Sequence, residues 1–419
     1  MTLGRPRSGA LAALVALAAS ATSCTETECA TPDYTRAECR VLAENGFGRL
    51  RTSTGVEVRF QAPSATDPLA GWTADGLVVE RGPSVRARVA HMGDFALSVD
   101  NRGPEPTTLE LELDNVHPRA RVDLDDVEVP HLGAGSKRRI SIDLDAGEQR
   151  WIRGGLERAD ACVSRVRLAV MADVQTNPTQ FSRIVDRVQL EAQLAEAEGE
   201  LLLGAIMPGD LTESSAEDEF RIFTDLLETV SVPFAVTAGN HDVYESHLPF
   251  YNQNFGPGNY AFSACGVHVA MLDSGDGAIA DSVVGRLPEL LDPGDAAWSL
   301  MAMHHPPYAE LTSAGWSRED LALITLGEFA RQGGDLVLAG HAHLLREYEV
   351  EVPGGALREI IAGTAGAWQG AGQPIYGYVR LTFEAGSDAI ETCFVEVPPP
   401  GGPMHTNTTD TGIPVCDTP

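Results

Sequence analysis

The stretch Val232-Pro233-Phe234-Ala235-Val236-Thr237-Ala238-Gly239-Asn240-His241-Asp242 decides how this chain is read. Residues 232–236 are a short apolar run rich in Val and Phe and followed by small residues, a pattern that predicts a buried strand. The tetrad Gly239-Asn240-His241-Asp242 then falls where strand gives way to loop, which is where open α/β sheets carry their ligand sites. Asn offers a neutral carbonyl ligand; His offers a proton donor or another ligand. Taken alone, the four residues fit an ordinary turn equally well.

The same texture surrounds the tetrad. Val166 to Met171 (VRLAVM) reads as a fully buried parallel strand. Asn177-Pro178 opens a helix, with Pro at the first position where no N–H is needed and Phe181, Ile184, Val185 and Val188 on one face. Leu201 to Ile206 is the next buried strand. Ser214 and Glu217 read as a capping box for a helix with Phe220, Phe223, Leu227 and Val230 inward. This βαβαβ order predicts a parallel sheet with right-handed crossovers. Further strands are expected at Gly266–Leu272, Trp298–Met303, Leu336–Ala339, Glu359–Ala362, Tyr378–Phe383 and Ile390–Val397, with a helix opened by Ser317 and Asp320. So many strands predict two packed, mixed β-sheets flanked by helices.

From residue 46 to 160 the period changes to two. Leu109-Glu110-Leu111-Glu112-Leu113 alternates strictly, as do Phe95, Leu97 and Val99, and Ile140, Ile142 and Leu144, with turn signals between them. This predicts an antiparallel, all-β sandwich of immunoglobulin-like type ahead of the α/β domain at 161–397. His91, His117 and His131 read as surface or turn histidines. Residues 398–419 are rich in Pro, Gly and Thr and read as a flexible tail, with Cys416 as a pin.

The 419 residues carry a formal charge of −30 and are 43% hydrophobic, enough for a sizeable core. The acidic balance argues against nucleic-acid binding, which needs Lys and Arg to displace counterions, and serves solubility. Arg5 and Arg7 precede an apolar stretch, Leu11–Ala21, too short to span a bilayer. Ala21-Thr22-Ser23-Cys24 follows and resembles a bacterial lipobox. The expectation is an exported, periplasmic or outer-envelope protein with a signal peptide at 1–23 and a lipid anchor on Cys24. A plain signal peptide and an uncleaved anchor are the alternatives. Residues 24–45 read as a Cys-containing tether. Six cysteines remain: Cys29, Cys39, Cys162, Cys265, Cys393 and Cys416. An even count in an oxidising compartment permits three disulfides, and Cys29 with Cys39 is the nearest pair.

Each buried strand of the second half ends in ligand-type groups: Asp173-Val174-Gln175, Gly209-Asp210, Asn240-His241, His304-His305-Pro306 and Gly340-His341-Ala342-His343. Carboxylate, amide and imidazole donors without thiolates suit borderline and harder divalent metals. The order and spacing of these blocks resemble the calcineurin-like metallophosphoesterase family over roughly residues 164–397, implying its αββα fold. The resemblance implies two divalent metal ions (Mn, Fe, Zn or Mg). Asp173, Gln175 and His343 would serve the first, Asn240, His304 and His341 the second, and Asp210 would bridge them. His305 is the alternative to His304. Gln175 departs from the pattern, which has His there.

What the resemblance further implies is hydrolysis of small phosphomonoesters or phosphodiesters by attack of a metal-bridging hydroxide, with His241 assisting the leaving group. Asp242 and Asp273 are candidates for supporting positions. A non-catalytic envelope binding or scaffold protein with a degenerate phosphoesterase domain is the rival that Gln175 raises.

Overall fold

The computed structural model describes residues 29, 33–61, 75–131, 135–244, 248–307, 315–352, 355–369, 374–402 and 411–416. The expected signal peptide and Cys24 lie outside them.

Among the described residues, ten strands lie between Arg49 and Gly155: β1 (Arg49–Arg51), β2 (Val56–Gln61), β3 (Gly76–Arg81), β4 (Ser84–Val89), β5 (Phe95–Asn101), β6 (Thr107–Asp114), β7 (Arg121–Leu124), β8 (Val127–Glu128), β9 (Arg138–Leu144) and β10 (Gln149–Gly155). They form two sheets, ordered β1-β2-β5-β10-β7-β8 and β3-β4-β6-β9. The period-two pattern works as expected. Ile140, Ile142 and Leu144 are buried on β9 while their neighbours face water, and Val58, Leu97, Leu111 and Ile142 share one core. Two expectations need correction. β4 and β6 pair in parallel, so the sandwich is not purely antiparallel. His91 and His117 are buried rather than superficial. The His91 ring stacks on Phe262, 5.3 Å between centroids, and His117 Nε2 lies 3.1 Å from the Leu202 carbonyl. Both are turn residues that the second half of the chain covers.

Eleven strands follow among the described residues: β11 (Arg165–Val170), β12 (Leu201–Pro208), β13 (Phe234–Thr237), β14 (Tyr260–Ala264), β15 (Val267–Leu272), β16 (Trp298–Met303), β17 (Leu336–Ala339), β18 (Leu345–Val352), β19 (Gly355–Ala362), β20 (Gly377–Glu384) and β21 (Ile390–Glu396). They form two mixed sheets, β13-β12-β11-β20-β21 and β14-β15-β16-β17-β19-β18. β11, β12 and β13 are mutually parallel, as are β15, β16, β17 and β19. The described helices are α1 (Ala37–Phe47), α2 (Pro178–Ala197), α3 (Glu217–Leu227), α4 (Phe250–Phe255), α5 (Asp281–Val284), α6 (Leu287–Leu290) and α7 (Glu319–Arg331). Phe181 and Ile184 of α2 and Phe220 and Phe223 of α3 cover the outer face of the first sheet. Leu326 and Phe329 of α7 cover that of the second. Leu168, Ile206, Leu300 and Leu338 fill the space between the sheets. The αββα layering follows from apolar residues on both faces of each parallel strand.

Helix starts are partly as expected. The Asn177 side chain caps α2 by accepting from Gln180 N, with Pro178 at the first position. Ahead of α3 the capping carboxylate belongs to Glu219, not Glu217. It accepts from Ser214 N and Oγ and from Ala216 N. α7 has no side-chain cap; Asp320 instead pairs with Arg318.

The largest correction concerns the expected tether. Its last residues enter α1, which docks against the α/β domain. Arg40 is 1% exposed and donates through Nε and Nη2 to Asp273, at 2.6 and 2.8 Å. Glu44 accepts from Gly258 N and Asn259 N. The buried face carries charges, so no apolar period announces it. Disulfides join Cys29 to Cys39, Cys162 to Cys265 and Cys393 to Cys416. The last pins the expected tail, whose Val415 forms a parallel bridge to Phe394.

Candidate metal centre

β11, β12, β13, β16 and β17 deliver their C-terminal ends to one rim. The residues just beyond them adopt a rare backbone. Asp173, Gln175, Asp210, His341 and His343 have φ of 65°, 43°, 54°, 67° and 48°. Each such residue costs about 1–3 kcal/mol and persists only where its surroundings impose it. Here they do: Val174 N donates to the Asp210 carbonyl at 2.8 Å and Ala367 N to the Asp173 carbonyl at 2.8 Å. Gly209 and Gly239 pack directly on each other, and a Cβ on Gly209 would meet Gly239 N at 2.5 Å.

These turns bring the side chains together. Asp173, Asp210 and His343 form one group, and His304, His305 and His341 another, each with ligand atoms within 4.8 Å. Asn240 Oδ1 lies 3.0 Å from His304 Nε2 and 2.9 Å from His341 Nδ1. Asp210 Oδ2 is 3.2 Å from His304 Nε2 and 2.9 Å from Gln175 Nε2, so this carboxylate touches both groups. His343 Nε2 is 3.5 Å from Asp173 Oδ1.

Ring orientations are fixed from outside. His304 Nδ1 is 2.8 Å from the Pro208 carbonyl, and His343 Nδ1 is 2.8 Å from the Trp368 carbonyl. A carbonyl only accepts, so both Nδ1 atoms carry hydrogen and both Nε2 atoms turn their lone pairs inward. Asn240 Oδ1, Asp210 Oδ2 and neutral His304 Nε2 are then acceptors aimed at one another. A divalent cation among them resolves that conflict, so the residues fit the expected metals. In the absence of a cation, protons do the same work. Burial alone would lower His304, but the Asp210 carboxylate pushes it up to about 9. Burial raises Asp173 to about 8. Burial and the charge of His304 take His341 down to about 4.

His305 stands slightly apart. Its ring lies against His341, 4.1 Å between centroids, its backbone N–H bonds Ser274 Oγ, and its Nδ1 has no hydrogen-bond partner among the described residues. Asp242 accepts from Leu211 N, Thr212 N and Gly239 N at 2.9–3.0 Å, tying two of the strand-end loops together. Asp273 is engaged by Arg40 and belongs to the α1 contact. His241 N donates to Asp210 Oδ1 at 2.9 Å. Its Nδ1 is 2.7 Å from the Glu213 carbonyl, and its ring packs edge-on against Tyr244. Nε2 is the ring nitrogen left for a ligand.

Sequence reasoning missed several contributors. The carbonyls of Pro208, Glu213 and Trp368 orient three imidazoles, and no side chain signals them. Gly363 follows β19; a Cβ there would sit 2.7 Å from Asp173 Oδ2 and 2.9 Å from His343 N. A Gly directly after a buried parallel strand was the available sign.

Residues 166–345 match the family model described as calcineurin-like phosphoesterase. No curated protein matches the chain. Among solved structures, the chain is similar to GAP50, the anchor in the inner membrane complex of Plasmodium (15% identity, TM-score 0.41, covering 56% of this chain and 85% of that one). It is also similar to the purple acid phosphatase PPD1 from yellow lupin, Lupinus luteus, seeds (13%, TM-score 0.45, covering 75% and 79%) and to PhoD (12%, TM-score 0.42, covering 70% and 83%).

Proposed function

We propose that this chain, whose residues 166–345 form a calcineurin-like phosphoesterase domain, hydrolyses phosphoric esters at the rim described above. The observation that carries this reading is Asp210, one buried carboxylate in contact with Gln175 on one side and His304 on the other. Asp173, Gln175, Asp210 and His343 would hold one divalent cation, and Asp210, Asn240, His304 and His341 a second. Mn, Fe, Zn and Mg all accept such donors. Bound there, the cations would polarise the phosphoryl oxygens and acidify the attacking water.

The chain's own residues do the rest. Pro208 and Trp368 hold His304 and His343 in register through their carbonyls. The Gln175 amide turns over to present its oxygen in place of Nε2. His241 keeps its Nδ1–H on the Glu213 carbonyl and offers Nε2 to the departing ester oxygen, protonating or hydrogen-bonding it. Such assistance is worth about 10²–10⁴-fold in rate. No Lys or Arg among the described residues hydrogen-bonds a member of the centre, which favours diesters, since they carry less charge than monoesters. Lipidation of Cys24 would hold the enzyme to a membrane of the cell envelope, and its substrate would be a small phosphoester rather than a nucleic acid.

The test is metal content together with turnover of a chromogenic monoester and diester. Wild type should hold near two equivalents of metal and turn over at least one substrate class. His241→Ala should lose about 10²-fold or more in kcat while keeping its metal. No turnover with Mn, Fe, Zn, Co or Mg added would leave the non-catalytic binding or scaffold reading, for which Gln175 is the motive.

A further inference from the structure

Beside the centre lies a cavity of about 220 Å³. Its lining includes Val174, Gln175, Leu211, Ile222, Phe223 and Leu226. Two of its walls begin one residue after the proposed ligands Asp173 and Asp210, and Gln175 belongs to both the cavity and the centre. α3 supplies the third wall. Ile222 is 43% exposed, an apolar side chain left without cover.

The chemistry of the lining is one-sided. Among the described residues it contains no Lys, Arg or His. Its one carboxylate, Glu219, already accepts from Ser214 and Ala216. A second phosphate or a carboxylate on a ligand would therefore find no cationic partner here. The volume exceeds that of an apolar cavity of roughly 150 Å³, a size that binds benzene.

The wall is also where the proton donor is anchored. Thr212 lines the cavity and donates from Oγ1 to the His241 carbonyl at 3.0 Å, and the next residue, Glu213, accepts from the His241 ring. The group proposed to meet the departing oxygen is thus fixed to the segment that walls the cavity. We infer that the cavity receives the alcohol part of the ester, and that this part is a compact apolar group such as an aryl ring or a branched alkyl chain. The inference rests on the hydrolase reading above. The oxygen of the attacking water forms a new P–O bond as the ester P–O bond breaks, and the apolar alcohol leaves from the cavity with the proton that His241 supplies.

The experiment uses the metal-loaded full chain and two variants at its surface, Ile222→Asp and Thr176→Trp. The first puts a charge at the mouth and the second fills it. Calorimetry compares phenylphosphonate with methylphosphonate, and kinetics compares 2-naphthyl phosphate or its methyl diester with the corresponding methyl esters. Wild type should bind phenylphosphonate about 10-fold or more tighter than methylphosphonate, as one well-filled apolar pocket allows. Each variant should lose that preference and lower the aryl-to-methyl ratio of kcat/KM by a similar factor. Equal binding of the two phosphonates by wild type, or a preference that survives both substitutions, overturns the inference. A wild type that hydrolyses nothing yet shows the phenyl preference, lost in both variants, would refute the hydrolase reading while supporting the cavity.

Discussion

Arg40→Met tests how firmly α1 braces the centre. Arg40 is essentially inaccessible to water and donates four hydrogen bonds, two to Asp273 at 2.6 and 2.8 Å and two to the Tyr34 and Thr35 carbonyls at 2.9 and 3.0 Å. Methionine keeps much of the volume but leaves the Asp273 carboxylate buried without its counter-charge. Removing one partner of a buried pair costs about 3–5 kcal/mol. For a cooperative unit of 150–250 residues that is a fall in Tm of roughly 6–20 °C. The effect should reach the metals. Ser274, beside Asp273, holds the His305 backbone, and a Cβ on Gly275 would lie 3.1 Å from both Arg40 Nη2 and the Gly239 carbonyl. Urea unfolding and metal titration of Arg40→Met, Asp273→Leu and the double variant provide the assay. The double variant should recover most of the loss, because two well-packed apolar groups avoid the unpaired charge. A single variant within about 1 kcal/mol of wild type, or a double variant no better than the single, would refute the reasoning.

Three further outcomes are expected. Asp210→Asn should lower the occupancy of both metals, since its carboxylate touches both groups; metal analysis showing one site intact would contradict the bridging role. Gln175→His should tighten the first metal, because imidazole is the stronger ligand for borderline ions, and competition against a chelator reads this directly. Glu359 is wholly buried on β19 with both carboxylate oxygens unpartnered among the described residues, and burial raises its pKa from 4.5 to about 8. Above pH 4.5 the unfolded chain has released a proton that the folded chain retains. Stability should therefore fall as pH rises from about 4.5 to about 8, by about 1.4 kcal/mol per unit from this group. Glu359→Gln should flatten that part of the profile in urea titrations.

The sequence revealed the parallel strands because they are buried on both faces and read as unbroken apolar runs. It revealed the centre because each such run stops at a polar residue that a core would not tolerate without purpose. β14 and β18 escaped notice as edge strands. β18 reads Leu-Arg-Glu-Tyr-Glu-Val-Glu-Val, with only Leu345 and Val350 buried, and a mixed surface carries little period. α1 escaped because its stabilising face is ionic and its partners are far along the chain. Carbonyl partners such as those of Pro208 and Glu213 are invisible in principle, since every residue has one. The pairing of Cys162 with Cys265, 103 residues apart, follows from where β11 and β15 pack and from no local pattern.

The docking of α1 also has a temporal side. The α/β unit is discontinuous: its first helix precedes the whole sandwich. Arg40 leaves the ribosome 233 residues before Asp273, a wait of roughly 10–50 s at ordinary elongation rates. The sandwich can close early on its own core, whereas the rim of ligands cannot be braced until both ends of this interval exist. A fragment begun at residue 161 would carry every proposed ligand and still lack its brace. Its weakness would be read wrongly as a property of the metal centre.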